Sequence, residues 1–196
     1  MANESVRLVV AITGASGSIY GWRLLEKLRA TGHVEIHLIM TRSGERTAFL
    51  EIGKTAADFK ALADCSYPVE DIGCRLASGS FVTGGMVIAP CSIHSMSAIA
   101  SGISSNLAIR AADVTLKERR RLVLMVRESP LHLGHLRSMT ALAEMGAILA
   151  PPVPAFYHKP ESVGEIVDHS VERVLDLIGL PSPDAQRWDG SQTRSK

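Results

Sequence analysis

The sequence predicts one three-layer α/β domain built on a mostly parallel sheet. Two patterns point there. Continuous apolar, β-branched runs alternate along the chain with helical patterns, as expected of strands covered on both faces by crossover helices. The first of these runs ends in a glycine-rich turn that opens a helix, Thr13-Gly14-Ala15-Ser16-Gly17-Ser18. Such a turn between strand and helix is a frequent ligand-binding unit of doubly wound folds.

The elements follow in order. Residues 6–12 form the first strand. Gly14 and Gly17 let the backbone turn tightly and approach a ligand. The next helix opens with free N–H groups and its positive dipole end facing the loop, a ready anion site. Ser16 and Ser18 add hydroxyls where serine also serves as an N-cap. A nucleotide-type ligand is expected here, the alternative being an ordinary capped turn. Leu24, Leu25 and Leu28 keep helical spacing; residues 34–40 read as a strand and 49–62 as one helix. A Gly/Ser-rich stretch at 77–80 precedes a buried strand at 86–90, which runs into Cys91 and Ser92. Helices are expected at 95–100 and 107–118, a strand at 122–126, a helix at 131–145, a short strand at 147–149 and a last helix at 163–178. There are no internal repeats. Residues 1–188 read as a single domain, Rossmann-like or flavodoxin-like, and 189–196 as a polar, disordered tail.

Composition sets limits. A chain of 196 residues with 46% hydrophobic and 21% charged residues builds one real core. A net charge of +1 gives no bulk attraction to nucleic acid or anionic membrane, so anion binding must be local. No apolar run approaches the roughly 18 residues of a membrane span, the start lacks a signal pattern, and the cytoplasm is the expected location. Cys65, Cys74 and Cys91 are widely spaced without a Cys-x-x-Cys, so neither a zinc site nor a disulfide framework is expected. His132 and His135 stand three apart with no supporting acid or cysteine, and no metal is expected. Cys91, Met86, Met96, Met125, Met139 and Met145 read as core.

Ligands of an open parallel sheet sit beyond the carboxyl ends of its strands. The groups collected there are Gly14 to Ser18, Thr41-Arg42-Ser43, Cys91-Ser92-Ile93-His94-Ser95, Arg127-Glu128-Ser129 and the segment 151–157 ending in Tyr157. Hydroxyls, arginines, one carboxylate and a tyrosine suit a phosphate-bearing ligand with one acid/base. Glu128, flanked by cations, is expected to be held ionised as a proton acceptor, or else to lie in a solvated loop. Arg110 and Lys117 share one helical face; Arg119 to Arg121 read as a solvated basic end. Ser92 and Ser95 can cap a helix and bind a ligand together. A rival reading is an NADP-dependent short-chain dehydrogenase, with Arg42 taking the extra phosphate. That chemistry needs a Tyr-x-x-x-Lys pair, and none of Tyr20, Tyr67 or Tyr157 has a lysine four residues on.

Five motifs in order and spacing carry a resemblance: Thr13 to Gly17, Ala89-Pro90-Cys91-Ser92, Arg110-Ala111-Ala112-Asp113-Val114 with Leu116-Lys117-Glu118, Val126-Arg127-Glu128, and Pro154-Ala155-Phe156-Tyr157. The chain resembles the UbiX-type flavin prenyltransferases over nearly its whole length, and most of all the branch named for the phenolic-acid decarboxylases. The resemblance implies a Rossmann-like protomer of a homododecamer with active sites at the interfaces between protomers. It implies reduced FMN and dimethylallyl phosphate as substrates, prenylation at flavin N5 with ring closure at C6, no metal, and delivery of prenylated FMN to a UbiD-type aromatic-acid decarboxylase. A non-catalytic FMN-binding partner of a decarboxylase is the alternative.

By the same resemblance, Gly14, Ala15, Ser16, Thr41, Ser92, Ile93, His94, Ser95 and Arg127 bind the flavin. Lys117, Tyr157 and Arg173 bind the dimethylallyl phosphate, with Arg110 and Glu51 near that phosphate and Glu51 reaching across an interface. Glu128 is the acid/base and Ser16 a proton relay to it. Three positions depart from the family pattern: no aromatic stands near Ile72, Val126 replaces a proline, and Arg137 replaces a carboxylate.

Overall fold

The computed structural model describes residues 5–182 and residue 185. The tail expected at 189–196 lies outside the described residues. Six strands form one sheet: β1 (Val6–Ile12), β2 (Val34–Met40), β3 (Cys65–Tyr67), β4 (Gly85–Cys91), β5 (Arg121–Val126) and β6 (Ile148–Leu149). Every pairing is parallel, in the order β3-β2-β1-β4-β5-β6. The helices are α1 (Ser18–Thr31), α2 (Arg42–Ile52), α3 (Ala56–Ala61), α4 (Ile93–Ala100), α5 (Leu107–Lys117), α6 (Leu133–Glu144) and α7 (Val163–Ile178).

Side chains alternate across each strand, so one run fills two cores. Leu8, Val10 and Ile12 face one layer with Leu24 and Leu28 of α1, Phe59 of α3 and Val171 of α7. Val9 and Ala11 face the other with Met96 of α4, Ala108 of α5 and Leu142 of α6. Burial on both faces explains the unbroken apolar runs at 8–12, 38–40 and 85–91, while Arg7, Glu35 and His37 interrupt the pattern near the starts of β1 and β2.

Three expectations are corrected, and one strand is new. The helix expected at 49–62 is two helices. Gly53, at φ 66°, closes α2 through its N–H to the Phe49 carbonyl, and Thr55 with Asp58 forms a capping box that starts α3. The edge strand β3 has only three residues and no apolar run to announce it. The helix after β4 begins at Ile93, ahead of the expected Ser95, because Ser92 caps it. Met145, expected in the core, is 42% exposed just past α6. Among the described residues, no helix is long and apolar enough to cross a membrane.

Candidate active site

Strand order reverses between β1 and β4, since the chain winds outward from β1 to β3 and then returns to β4 on the other side. This switch point opens a crevice at the carboxyl ends of the strands. Thr13, 1% exposed, joins the two loops that flank it. Its N–H and its hydroxyl both donate to the Pro90 carbonyl, at 3.3 and 2.7 Å, and the hydroxyl oxygen accepts the Ser92 N–H at 2.8 Å. A hydroxyl is needed here because it donates and accepts at once.

Three helix starts surround the crevice. Ser92 caps α4, accepting from the Ser95 N–H at 3.3 Å and donating to the Ser95 hydroxyl at 3.1 Å. Thr41 caps α2, accepting from the Gly44 N–H at 3.0 Å. Between them lies the turn Gly14-Ala15-Ser16; a Cβ on Gly14 would clash with Ser43 Cβ, so the turn is pressed against the start of α2. Helix starts offer N–H groups and positive dipole ends to oxygen-rich ligands.

The start of α1 differs from expectation. Its cap is Gly17, in the left-handed region at φ 105°, and neither Ser16 nor Ser18 caps it through a side chain. The anion at this helix start is the protein's own Glu51, which accepts the Gly17 and Ser18 N–H groups at 2.9 Å each. Burial pushes the Glu51 carboxyl upward, yet hydrogen bonds from the Ser16 hydroxyl and from the Ser18 and Gly17 amides outweigh it and hold the pKa below the ordinary value. Glu51, expected to reach across an interface, is therefore engaged within its own chain. Its contact with Ser16 still places both at the lip of the crevice.

Arg127 and Glu128 follow β5 and are exposed at the crevice. The Arg127 N–H donates to the Cys91 carbonyl at 3.2 Å, fixing this loop to the end of β4. Burial raises the pKa of Tyr20 on α1, and the charge of Arg127 partly offsets it, so the two groups lie within electrostatic reach across the crevice. Glu128 turns one oxygen onto the Ser129 N–H at 2.9 Å. Cys91, fully buried with its thiol pushed up to about 12, is core and no nucleophile.

Other expected site residues are not brought to this crevice by the single chain. Lys117 ends α5 shortly before β5 begins, which puts it at the amino edge of the sheet. It pairs there with Glu118, over the Gly79 turn, and holds that carboxylate below its ordinary range. Arg110, earlier on α5, pairs with Asp113 and reaches the Ala77 carbonyl. Tyr157 and Arg173 form a separate group at α7, where the Tyr157 hydroxyl lies 2.9 Å from His169 Nε2 and Arg173 pairs with Asp176 at 2.8 Å. Sequence reasoning misses His169, and it misses the role of Thr13 in joining the loops.

Two further features bear on rival readings. Arg42 pairs with Glu70 at 2.8 Å, beside a cavity of about 390 Å³ between the ends of β2 and β3. The dinucleotide reading needs the α1 amides for a pyrophosphate, and Glu51 takes the Gly17 and Ser18 N–H groups. Glu35, His37 and Cys65 bring donor atoms within 4.8 Å of one another. Arg7 pairs with Glu35 at 3.1 Å and the charge of Arg75 reaches His37, both opposed to a cation there.

A doubly wound parallel sheet with the starts of α2 and α4 at its switch point is a nucleotide-binding architecture, and the Flavoprotein family model, which matches residues 1–175, makes the class that of the flavoproteins. The relatives are more specific. A flavin prenyltransferase UbiX of Thauera aromatica is 52% identical over 189 residues, covering 96% of this chain and 97% of its own length. The crystal structure of AnUbiX in complex with FMN and dimethylallyl pyrophosphate superposes with a TM-score of 0.93 at 44% identity, over 95% of this chain and 99% of the other. A dodecameric FMN-dependent UbiX-like decarboxylase from Escherichia coli O157:H7 gives a TM-score of 0.92 at 47% identity, over 94% and 100%. This chain belongs to the UbiX flavin prenyltransferase family.

Proposed function

We propose that this protein transfers a dimethylallyl group from dimethylallyl phosphate to N5 and C6 of reduced FMN and releases prenylated FMN for a UbiD-type aromatic-acid decarboxylase. The observation that carries this reading is the similarity, at about half identity over nearly the whole chain, to relatives named flavin prenyltransferase. The crevice residues fit a flavin as the acceptor substrate: the Gly14-Ala15-Ser16 turn, the Thr41 and Ser92–Ser95 helix starts, His94 at the rim, Ile93 half-buried behind it, and the Arg127 cation.

Breaking the allylic C–O bond leaves charge on the departing phosphate, which fixed cations and a tyrosine O–H stabilise. We assign that task to Arg110, Lys117, Tyr157 and Arg173. Lys117 lies at the amino edge of its own sheet, so the phosphate site is built between protomers of a homo-oligomer, a dodecamer by analogy with the Escherichia coli relative. Glu128, exposed at the crevice, exchanges a proton with the leaving phosphate, and Ser16, hydrogen-bonded to Glu51, relays a proton toward it. The allylic cation needs a dry pocket and a π-face, and the flavin ring supplies the face.

Glu128→Gln tests the assignment. It keeps the size and the Ser129 contact but cannot exchange the proton. Turnover should fall by about a hundredfold or more while FMN affinity stays unchanged. Undiminished turnover would remove Glu128 from the chemistry.

A further inference from the structure

Tyr157, the residue assigned above to the phosphate, does not stand alone. Its hydroxyl oxygen lies 2.9 Å from Nε2 of His169 on α7. The ring of His158 stacks on His169 at 4.3 Å between centroids and 22° between planes, and it meets Tyr157 edge-on at 5.3 Å. Both His158 ring nitrogens are buried and have no hydrogen-bond partner among the described residues, so this ring serves as a packing wall. Arg173 lies four residues after His169, one turn along the same face of α7, and its charge is felt at His169. One helix face therefore holds the cation directly and the tyrosine through the histidine.

The direction of the Tyr157–His169 bond decides what the tyrosine can do. If Nε2 accepts, the Tyr157 O–H is spent on the histidine and presents only lone pairs outward, which repel a phosphate oxygen. If Nε2–H donates, the tyrosine oxygen is satisfied as acceptor and its own O–H can donate outward. The ring of His169 is kept neutral near pH 7, because burial first and His158 next lower its pKa; it then carries one proton and has one donor to give.

We propose that His169 is a positioning residue for prenyl transfer: its Nε2–H donates to the Tyr157 oxygen and aims the Tyr157 O–H at the phosphate of the prenyl donor. His158 contributes by stacking, which fixes the plane of the imidazole. This inference rests on Tyr157 binding that phosphate, so the test separates the two. Prenyl transfer is measured at saturating reduced FMN with dimethylallyl phosphate varied, for Tyr157→Phe, His169→Phe, His169→Gln and the double variant Tyr157→Phe/His169→Phe. His169→Phe keeps a flat ring against His158 but has no donor. It should raise the KM for the donor about two- to tenfold, the worth of one hydrogen bond, with FMN affinity unchanged. His169→Gln, whose amide can donate to the tyrosine, should recover most of that loss. In the Tyr157→Phe background, His169→Phe should add nothing. A raised KM in Tyr157→Phe with none in His169→Phe overturns the positioning role and leaves Tyr157 in place. An equal loss from His169→Phe with and without the tyrosine hydroxyl also overturns it, by showing a structural effect through α7. An unchanged KM in Tyr157→Phe removes the tyrosine assignment, and the inference with it.

Discussion

Thr13→Val is the most informative single change, because it keeps the shape of the side chain and deletes the hydroxyl that joins the two loops of the crevice. Thr13 is buried, so nothing from solvent replaces that hydroxyl. The Ser92 N–H loses its acceptor at 2.8 Å, and a buried donor left unpaired costs about 1–3 kcal/mol. The Pro90 carbonyl loses its bond at 2.7 Å but keeps the Thr13 N–H, so that loss is about 0.5–1.5 kcal/mol. Together the variant should be destabilised by about 2–4 kcal/mol, or about 5–15 °C in Tm for a domain of this size. Loops no longer held in register should bind FMN about tenfold more weakly, equivalent to about 1.4 kcal/mol of lost preorganisation. Thermal unfolding at fixed protein concentration and fluorescence titration with FMN measure the two effects. Thr13→Ser is the control: it loses a methyl group but keeps both bonds, and its FMN affinity should match the parent. A Thr13→Val protein within about 0.5 kcal/mol of the parent, with the same FMN affinity, would mean that this hydroxyl does not hold the loops together.

Three more outcomes rest on neighbouring contacts. Glu51→Gln removes the charge at the start of α1 and should cost about 0.3–1 kcal/mol at neutral pH. Since hydrogen bonds hold the folded Glu51 below its ordinary value of 4.5, its contribution is present above that pH and fades as pH falls below it, so the variant's stability should decline less in acid. His37 works in the opposite sense chemically but in the same pH direction: burial lowers its folded pKa below 6.5, so the unfolded chain takes the proton first and stability falls as pH drops below about 6.5. His37→Gln should flatten the decline between about pH 7 and pH 5 in a denaturation series, and an unchanged slope would assign it to other groups. Oligomers co-assembled from Lys117→Ala and Glu128→Gln chains should regain part of the activity that each lacks alone, because a mixed interface carries one site with both groups intact. No recovery would place Lys117 and Glu128 in the same chain's site.

What is legible in the sequence is whatever local physics decides. Strands β1, β2, β4 and β5 are buried on both faces, so their apolar runs stand out without any partner being known, and α7 reads to its ends because Ser162 caps it and Gly179 closes it. The turn at Gly14 to Gly17 is visible for the same reason. Two misses are legible in principle: Gly53 and the Thr55–Asp58 box stand in the sequence, and the apolar pattern of residues 49–62 simply overruns them. Others are not legible. Whether Glu51 binds its own α1 or a neighbour depends on how α2 packs, and no spacing in the chain reports it. The bond from Tyr157 to His169 joins a loop to a helix 12 residues away, and β3 is a strand only because β2 lies beside it. The separation of the residues proposed for the phosphate, Arg110 and Lys117 on α5 and Tyr157 and Arg173 at α7, follows from topology and comes into view only with the sheet.

For prenyl transfer itself, the decisive measurement is to incubate the protein anaerobically with reduced FMN and dimethylallyl phosphate and weigh the flavin released on denaturation. A flavin heavier by one dimethylallyl unit, formed by the parent protein and absent with Glu128→Gln, is the expected product. Unchanged FMN bound tightly by the parent protein would contradict this and leave a flavin-binding protein without transferase activity.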